Sequence, residues 1–192
     1  MLFWSMGRRV KVRNRSYIKP GHTYLALINH SSLFDIPAIM TILPGGAWIG
    51  RGKLLKIPIF GRYLSKLNYI PIEPSNWRKS LEALETASMK SSKGQIILMF
   101  PEGTRSSDGN LQEFRRGFIR ILRKTEIDIL PITINGLYNW KPKYQRHIDT
   151  SEKLEIVINE PLPASELISL DDKEIIQKVK QRISRDHKII DN

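Results

Sequence analysis

The segment Asn29-His30-Ser31-Ser32-Leu33-Phe34-Asp35 pairs an imidazole with a carboxylate across four intervening residues. At a strand-to-helix junction that spacing lets Asp35 fold back onto His30 and fix its tautomer, the arrangement that makes a histidine a general base in serine proteases. Later in the chain stands Phe100-Pro101-Glu102-Gly103-Thr104-Arg105-Ser106. Here Gly103 permits tight backbone geometry and the Arg105 guanidinium is a planar fork suited to phosphate. His30 and Asp35 are two-thirds of a hydrolase triad, but the chain has no Gly-x-Ser-x-Gly elbow to supply the nucleophile. If no protein nucleophile exists, the obvious recipient of base catalysis is a hydroxyl of the substrate, which would attack an activated acyl group, and the reaction class is acyl transfer; an acyl-enzyme serine at Ser31 or Ser32 is the lesser alternative. An acceptor bearing both hydroxyl and phosphate would be held at two points, and such orientation is worth up to about 7–11 kcal/mol in ideal systems.

The elements that must position these groups follow from the hydropathy pattern. Residues 23–28 are a short apolar run of strand formers, read as a buried strand that delivers Asn29 and His30 at its C-terminal end. Ser31 or Ser32 is expected to cap the next helix, with Asp35 in its first turn and Pro37 early in it. A short strand over 47–49, a short helix over 59–67 and an extended segment over 69–72 come next. Ser75 is expected to cap a helix over 76–91 whose packed face carries Trp77, Leu81, Leu84, Ala87 and Ser88. A buried strand over 95–100 leads into the Glu102 loop. A helix over 116–124, strands over 127–134 and 153–158, and an amphipathic helix over 171–190 complete the chain. Alternating strands and helices predict an α/β fold in which a mostly parallel central sheet is flanked by helices on both faces, a single domain over 1–192.

Composition bounds the partners. The formal charge of +12 attracts polyanions, whether anionic lipid, phosphate-rich small molecules or nucleic acid. The positive residues are spread along the chain and no base-stacking motif is present, so nucleic acid is not expected. A noncatalytic basic module remains the rival class. The absence of cysteine excludes disulfides, a thiol nucleophile and Cys-ligated zinc. The longest apolar stretch, 36–50, is broken by Pro37, Thr41 and Pro44, whereas a spanning helix needs about 20 residues, so no transmembrane helix is predicted. The arm over 1–19 sets Phe3 and Trp4 ahead of five Arg and Lys by residue 15, a pattern for an interfacial anchor or for an ordinary first element with a basic face. The mixed aromatic, aliphatic and basic stretch over 48–60 is the expected membrane interface, with Trp48 divided between core and membrane edge. Trp77 and Trp140 are read as packing residues. His22, His147 and His187 are read as solvated or structural.

With these residues in hand, Asn29-His30 and Asp35 resemble the N-H-x-x-x-x-D signature of the glycerolipid acyltransferases, and residues 100–106 resemble their F-P-E-G-T-R-S block. Residues 67–74, the basic stretch Phe114-Arg115-Arg116-Gly117 and the proline-containing strand over 129–136 are similar to weaker family blocks, so the match covers roughly residues 20–140. The resemblance implies transfer of a fatty acyl group from acyl-CoA or acyl carrier protein to the free hydroxyl of 1-acylglycerol 3-phosphate, or to another lysolipid or hydroxyl acceptor, without metal or cofactor. It implies that His30 is the base and Asp35 its orienter, that Glu102, Gly103, Thr104 and Arg105 belong to the acceptor site, and that the strand with Pro131 bears on the acyl donor or the oxyanion. For Glu102 two further readings stay open: an ion pair with Arg105, or an acceptor of backbone hydrogen bonds. Glu73 is followed by Pro74 where the family often has arginine, and Arg78 or Lys79 is the expected substitute. Peripheral attachment at the cytoplasmic face of an anionic membrane completes the implied picture.

Overall fold

The computed structural model describes residue 3 and residues 7–141, 143–144 and 148–188. Trp4, His147, Ile189 and Ile190 lie outside the described residues. Seven strands form one sheet: β1 Val10–Arg13, β2 Leu25–Ile28, β3 Ala47–Arg51, β4 Ile70–Ile72, β5 Ile97–Met99, β6 Ile129–Asn135 and β7 Leu154–Ile158. Their order is β1-β7-β6-β2-β5-β3-β4, which puts the strand that leads to His30 at the centre. All neighbours are parallel except β6 and β7, which pair antiparallel without a crossover helix.

Strands buried on both faces read as continuous apolar runs, and all four residues of β2 are buried. Their alternation assigns Leu25 and Leu27 to one core and Ala26 and Ile28 to the other. The first core lies under helices α3 Trp77–Ser92, α4 Gly117–Thr125 and α7 Asp172–Ser184, and includes Ala83, Phe118, Leu122, Ile175 and Val179. The second lies under α1 Asp35–Met40, α2 Phe60–Ser65 and the one-turn α5 Leu137–Trp140, and includes Ile39, Trp48, Leu64 and Trp140. The remaining one-turn helix, α6 Ala164–Leu167, covers the first core. An α/β sheet with helices on both faces is therefore what the chain forms.

Several boundaries differ from the sequence-based expectations. Part of the N-terminal arm is strand β1, which adds to the β7 edge with Val10 and Val12 turned inward and Lys11 and Arg13 outward. Phe3 is no surface anchor: it is buried, 5.7 Å from the ring of Trp140. Trp48 is a core residue, 1% exposed. Asn76, not Ser75, caps α3 by accepting the amide of Lys79. The packed stripe of α3 is the small set Ala83, Ala87 and Ser91, which lets the helix lie close on the sheet and leaves Trp77 and Leu81 facing outward. The last helix begins with a capping box between Asp171 and Glu174 and stops at Ser184, short of 190. Beyond it, the side chain of Asn135 donates to Asp186 O and accepts from Lys188 N, which draws the chain away from the helical path.

Candidate active site

Asn29 extends β2 with its side chain. Its amide donates to Ile134 O at 2.9 Å and its carbonyl accepts from Ile134 N at 2.7 Å, reproducing a backbone ladder step on β6. His30 is thereby presented just above the sheet. The chain then turns, and neither Ser31 nor Ser32 caps α1 as expected. Asp35, the first residue of α1, reverses the roles: its Oδ2 accepts the amides of Ser31 and Ser32, both at 2.8 Å, and His30 Nδ1 at 2.7 Å. Asp35 is fully buried, and its Oδ1 has no partner among the described residues. Because the Nδ1 proton is held by the carboxylate, the lone pair of the neutral ring lies on Nε2. The imidazole is stacked on Phe100, centroids 3.8 Å apart and planes within 7°, and Phe100 leans on Trp48. No hydroxyl of Ser31 or Ser32 is hydrogen-bonded to this ring; that of Ser32 turns to Lys141 O.

The second motif grips the backbone of His30 from both sides. Glu102 Oε1 accepts His30 N at 2.7 Å, and Ser106 N donates to His30 O at 2.7 Å. The other oxygen of Glu102 accepts Gln112 N at 3.1 Å. Glu102 is 2% exposed and makes no ion pair with Arg105, so of the open readings the contacts present are those of a backbone acceptor. Burial pushes its carboxyl up to about 7, against the pull of the two amides, and the nearby Asp35 adds to the rise. Gly103 has φ +69°, and a Cβ there would stand 2.9 Å from the Arg115 side chain, whose Nε donates to Glu102 O. Thr104 is exposed and its hydroxyl accepts from Lys143. Arg105 is half-buried with no hydrogen bond or ion pair among the described residues, and its neighbour Ser106 is already bound to His30. Pro131 lies in the sheet opposite Leu27, below the level of His30, and having no N–H it is not itself an oxyanion donor. Lys79, one proposed replacement at the Pro74 position, is taken up by Glu73 at 2.6 Å.

The titration of Glu102 has a measurable sign. A folded carboxyl near 7 against an ordinary 4.5 favours the protonated form, so its contribution to stability is full below 4.5 and lost as pH rises through about 7. Relative to Glu102→Gln, which does not titrate, the wild type should lose about 3 kcal/mol of unfolding free energy across that window. Urea unfolding of both proteins at a series of pH values reads the difference, and a pH-independent gap would exclude the shift.

Comparison with known proteins decides the family. The acyltransferase family model matches residues 9–135, which includes every residue of the two motifs. This chain is a member of the acyltransferase family. Among its relatives, the 1-acyl-sn-glycerol-3-phosphate acyltransferase of Cocos nucifera is 32% identical over 140 residues, 72% of this chain and 45% of that protein. The corresponding alpha enzyme of Homo sapiens is 26% identical over 91% of this chain and 62% of its own length. The chain thus spans less than two thirds of these curated relatives. The crystal structure of the 1-acyl-sn-glycerophosphate acyltransferase PlsC from Thermotoga maritima superposes with a TM-score of 0.80 at 32% identity, covering 95% of this chain and 72% of that one.

In this acyltransferase-family chain, three side chains near the histidine have contacts that the sequence does not assign, Asn29, Phe100 and Gln112, and Arg115, exposed and in the sequence only part of a basic stretch, donates to Glu102 O. Asn29 and Phe100 each directly follow a buried strand and open one of the two motifs, and that position is the signal by which they are found.

Proposed function

We propose that this chain transfers a fatty acyl group from a thioester, acyl-CoA or acyl carrier protein, to the free hydroxyl of 1-acylglycerol 3-phosphate, giving phosphatidic acid. The observation that carries it is the His30–Asp35 pair at 2.7 Å with no serine hydroxyl on the imidazole, which leaves Nε2 for a hydroxyl brought by the substrate. In this reading His30 Nε2 removes the hydroxyl proton as the oxygen attacks the thioester carbonyl. The positive charge that develops on the imidazole is met by the buried carboxylate of Asp35, which stabilises the imidazolium. Collapse of the tetrahedral intermediate breaks the C–S bond, and the departing thiolate takes the proton back from His30. No step calls on a metal or cofactor. Glu102 and Ser106 act on the reaction by fixing the backbone of His30, and Arg105 receives the acceptor phosphate with its unclaimed guanidinium. Donors to the oxyanion are backbone N–H groups of the second motif or of the end of β6. The chain works at a membrane surface, where such an acceptor resides; no helix of the described residues is long and apolar enough to cross one.

The test uses lysophosphatidic acid with radiolabelled acyl-CoA or acyl carrier protein as donor. Phosphatidic acid is expected from the wild type with at least one donor. Arg105→Ala should raise KM for the phosphate-bearing acceptor roughly ten- to a hundredfold, the worth of a hydrogen-bonded charge pair, with little change for monoacylglycerol. An equal loss on both acceptors would remove Arg105 from the phosphate site, and no product with either donor would overturn the proposal.

A further inference from the structure

The positive residues are spread along the chain, but the acids that offset them are not. Residues 1–72 hold eleven Lys and Arg and a single acid, the buried Asp35, whereas residues 73–192 hold twenty basic and eighteen acidic residues. Within that basic part, the segment that carries Lys53, Lys56, Arg62 and Lys66 packs through Leu54, Leu55, Phe60 and Leu64 on the second core, the core that holds Trp48 and Phe100, whereas Lys11 and Arg13 pair with Glu155 and Asp186 at the β1 edge.

On this face one feature opposes ordinary folding preferences. A 3₁₀ turn, Gly52–Lys56, is followed by Ile57-Pro58-Ile59 and then by α2. Ile59 has φ +65° and ψ −56°, and Phe60 N donates to Pro58 O at 2.7 Å, which closes a three-residue γ-turn of the rare, strained hand. A β-branched residue is an outlier there. Ile59 is nevertheless 84% exposed, with Ile57 and Tyr63 also exposed beside it. The tip is not loosely held. Gly61 N donates to Ile57 O, a Cβ on Gly61 would strike the carbonyl of Leu55, and Leu54, Leu55 and Phe60 pack against the core. The fold therefore supports a rigid base that pushes an aliphatic side chain into solvent.

The surroundings are predominantly basic; Glu73, close enough to feel the charge of Lys56, is ion-paired with Lys79. Lys53, Lys56, Arg62 and Lys66 are exposed within seven residues of Ile59, none is in an ion pair within 4 Å among the described residues, and no acidic residue occurs between Asp35 and Glu73. Three apolar side chains make too small a patch for a stable protein interface, while apolar insertion combined with several cations matches an anionic bilayer.

We propose that Ile57, Ile59 and Tyr63, with Lys53, Lys56, Arg62 and Lys66 around them, are the surface by which this chain docks on an anionic lipid bilayer, Ile59 entering below the headgroups. The proposal rests on the lipid-acceptor reading above only for its purpose; its physical content is binding and is tested as binding. Docked this way, the side of the sheet that holds the second core, with Phe100 and Trp48, is turned to the membrane.

Purified protein is sedimented with phosphatidylcholine vesicles with and without phosphatidylglycerol, at low and high salt. Binding should require the anionic lipid and weaken with salt. Ile59→Asp, a residue that tolerates positive φ, should lower the partition coefficient at least tenfold, and Lys53→Gln and Lys56→Gln roughly fivefold each. Ile59→Gly relaxes the turn while removing the side chain and must show the same loss, so a folding defect of the aspartate variant, seen by circular dichroism, does not excuse the proposal. Unchanged partition of the glycine variant would overturn it, as would equal binding to neutral vesicles or an Ile59-dependent dimer in light scattering without lipid. With a short-chain soluble acceptor and no vesicles, Ile59→Gly should keep wild-type turnover. Vesicle binding without any acyl transfer would refute the proposed reaction and leave the docking surface standing.

Discussion

His30→Ala should lower kcat for acyl transfer by a factor of about a hundred to ten thousand, the range for loss of a positioned general base, with KM little changed. Asp35→Ala should come close to the same loss, because it frees the imidazole that Oδ2 now holds at 2.7 Å and also releases the amides of Ser31 and Ser32. Asp35→Asn has a different expected outcome from the corresponding change in serine proteases, where the amide imposes the wrong tautomer. All three donors here converge on Oδ2 while Oδ1 has no partner among the described residues, so an asparagine is expected to turn its oxygen to the donors and its NH2 to the vacant side. The tautomer is kept and only the charge that stabilises the imidazolium is lost, a reduction of roughly tenfold in kcat. The double variant His30→Ala/Asp35→Asn should be no slower than His30→Ala alone, since the carboxylate acts through the ring. Single-turnover rates with excess enzyme measure these steps free of product release. An Asp35→Asn variant as slow as His30→Ala would mean that the amide flips and that the convergence on Oδ2 is not what fixes the ring.

The His30–Asp35 contact was legible because its geometry is local: four intervening residues at a strand end suffice to bring the groups together. The sheet was legible for a similar reason, since strands buried on both faces advertise themselves as apolar runs such as residues 25–28 and 129–134. What escaped depends on register between distant segments. Nothing local says that Glu102 will meet the amide of His30, because that contact exists only once β2 and β5 lie side by side with Leu25 opposite Ile97. The outward turn of Trp77 and Leu81 escaped for the opposite reason. Hydrophobicity ranks them first, but the helix approaches its neighbours through Ala83 and Ala87, where small side chains allow close contact. Strand β1 was hidden by charge: Lys11 and Arg13 alternate with two valines at a sheet edge, and exposed cations on an edge strand guard it against further pairing.

The largest structural effect is expected at Asn29, a residue of the first motif with no chemistry of its own. Its side chain satisfies both the N–H and the C=O of Ile134, and all these groups are buried. Asn29→Ala leaves two backbone groups without partners at about 1–3 kcal/mol each. Asn29→Asp fails differently: one oxygen still accepts Ile134 N, but the other then faces the carbonyl oxygen of Ile134, and a buried carboxylate must repel it or protonate. Both variants should unfold at lower temperature, by about 2–4 °C for each kcal/mol lost in a domain of this size. Acyl transfer should also fall below the level explained by unfolding, because Asn29 ties the residue before His30 to β6 while Glu102 and Ser106 tie His30 itself to the second motif. Releasing the first anchor lets the imidazole move against Phe100 and Asp35, and small misplacements of a reacting group are costly. Thermal unfolding and activity measured well below the transition separate the two effects. A melting temperature unchanged in Asn29→Ala would show that the side-chain ladder step carries no net stability, and a kcat unchanged in a folded variant would show that His30 is fixed by the second motif alone.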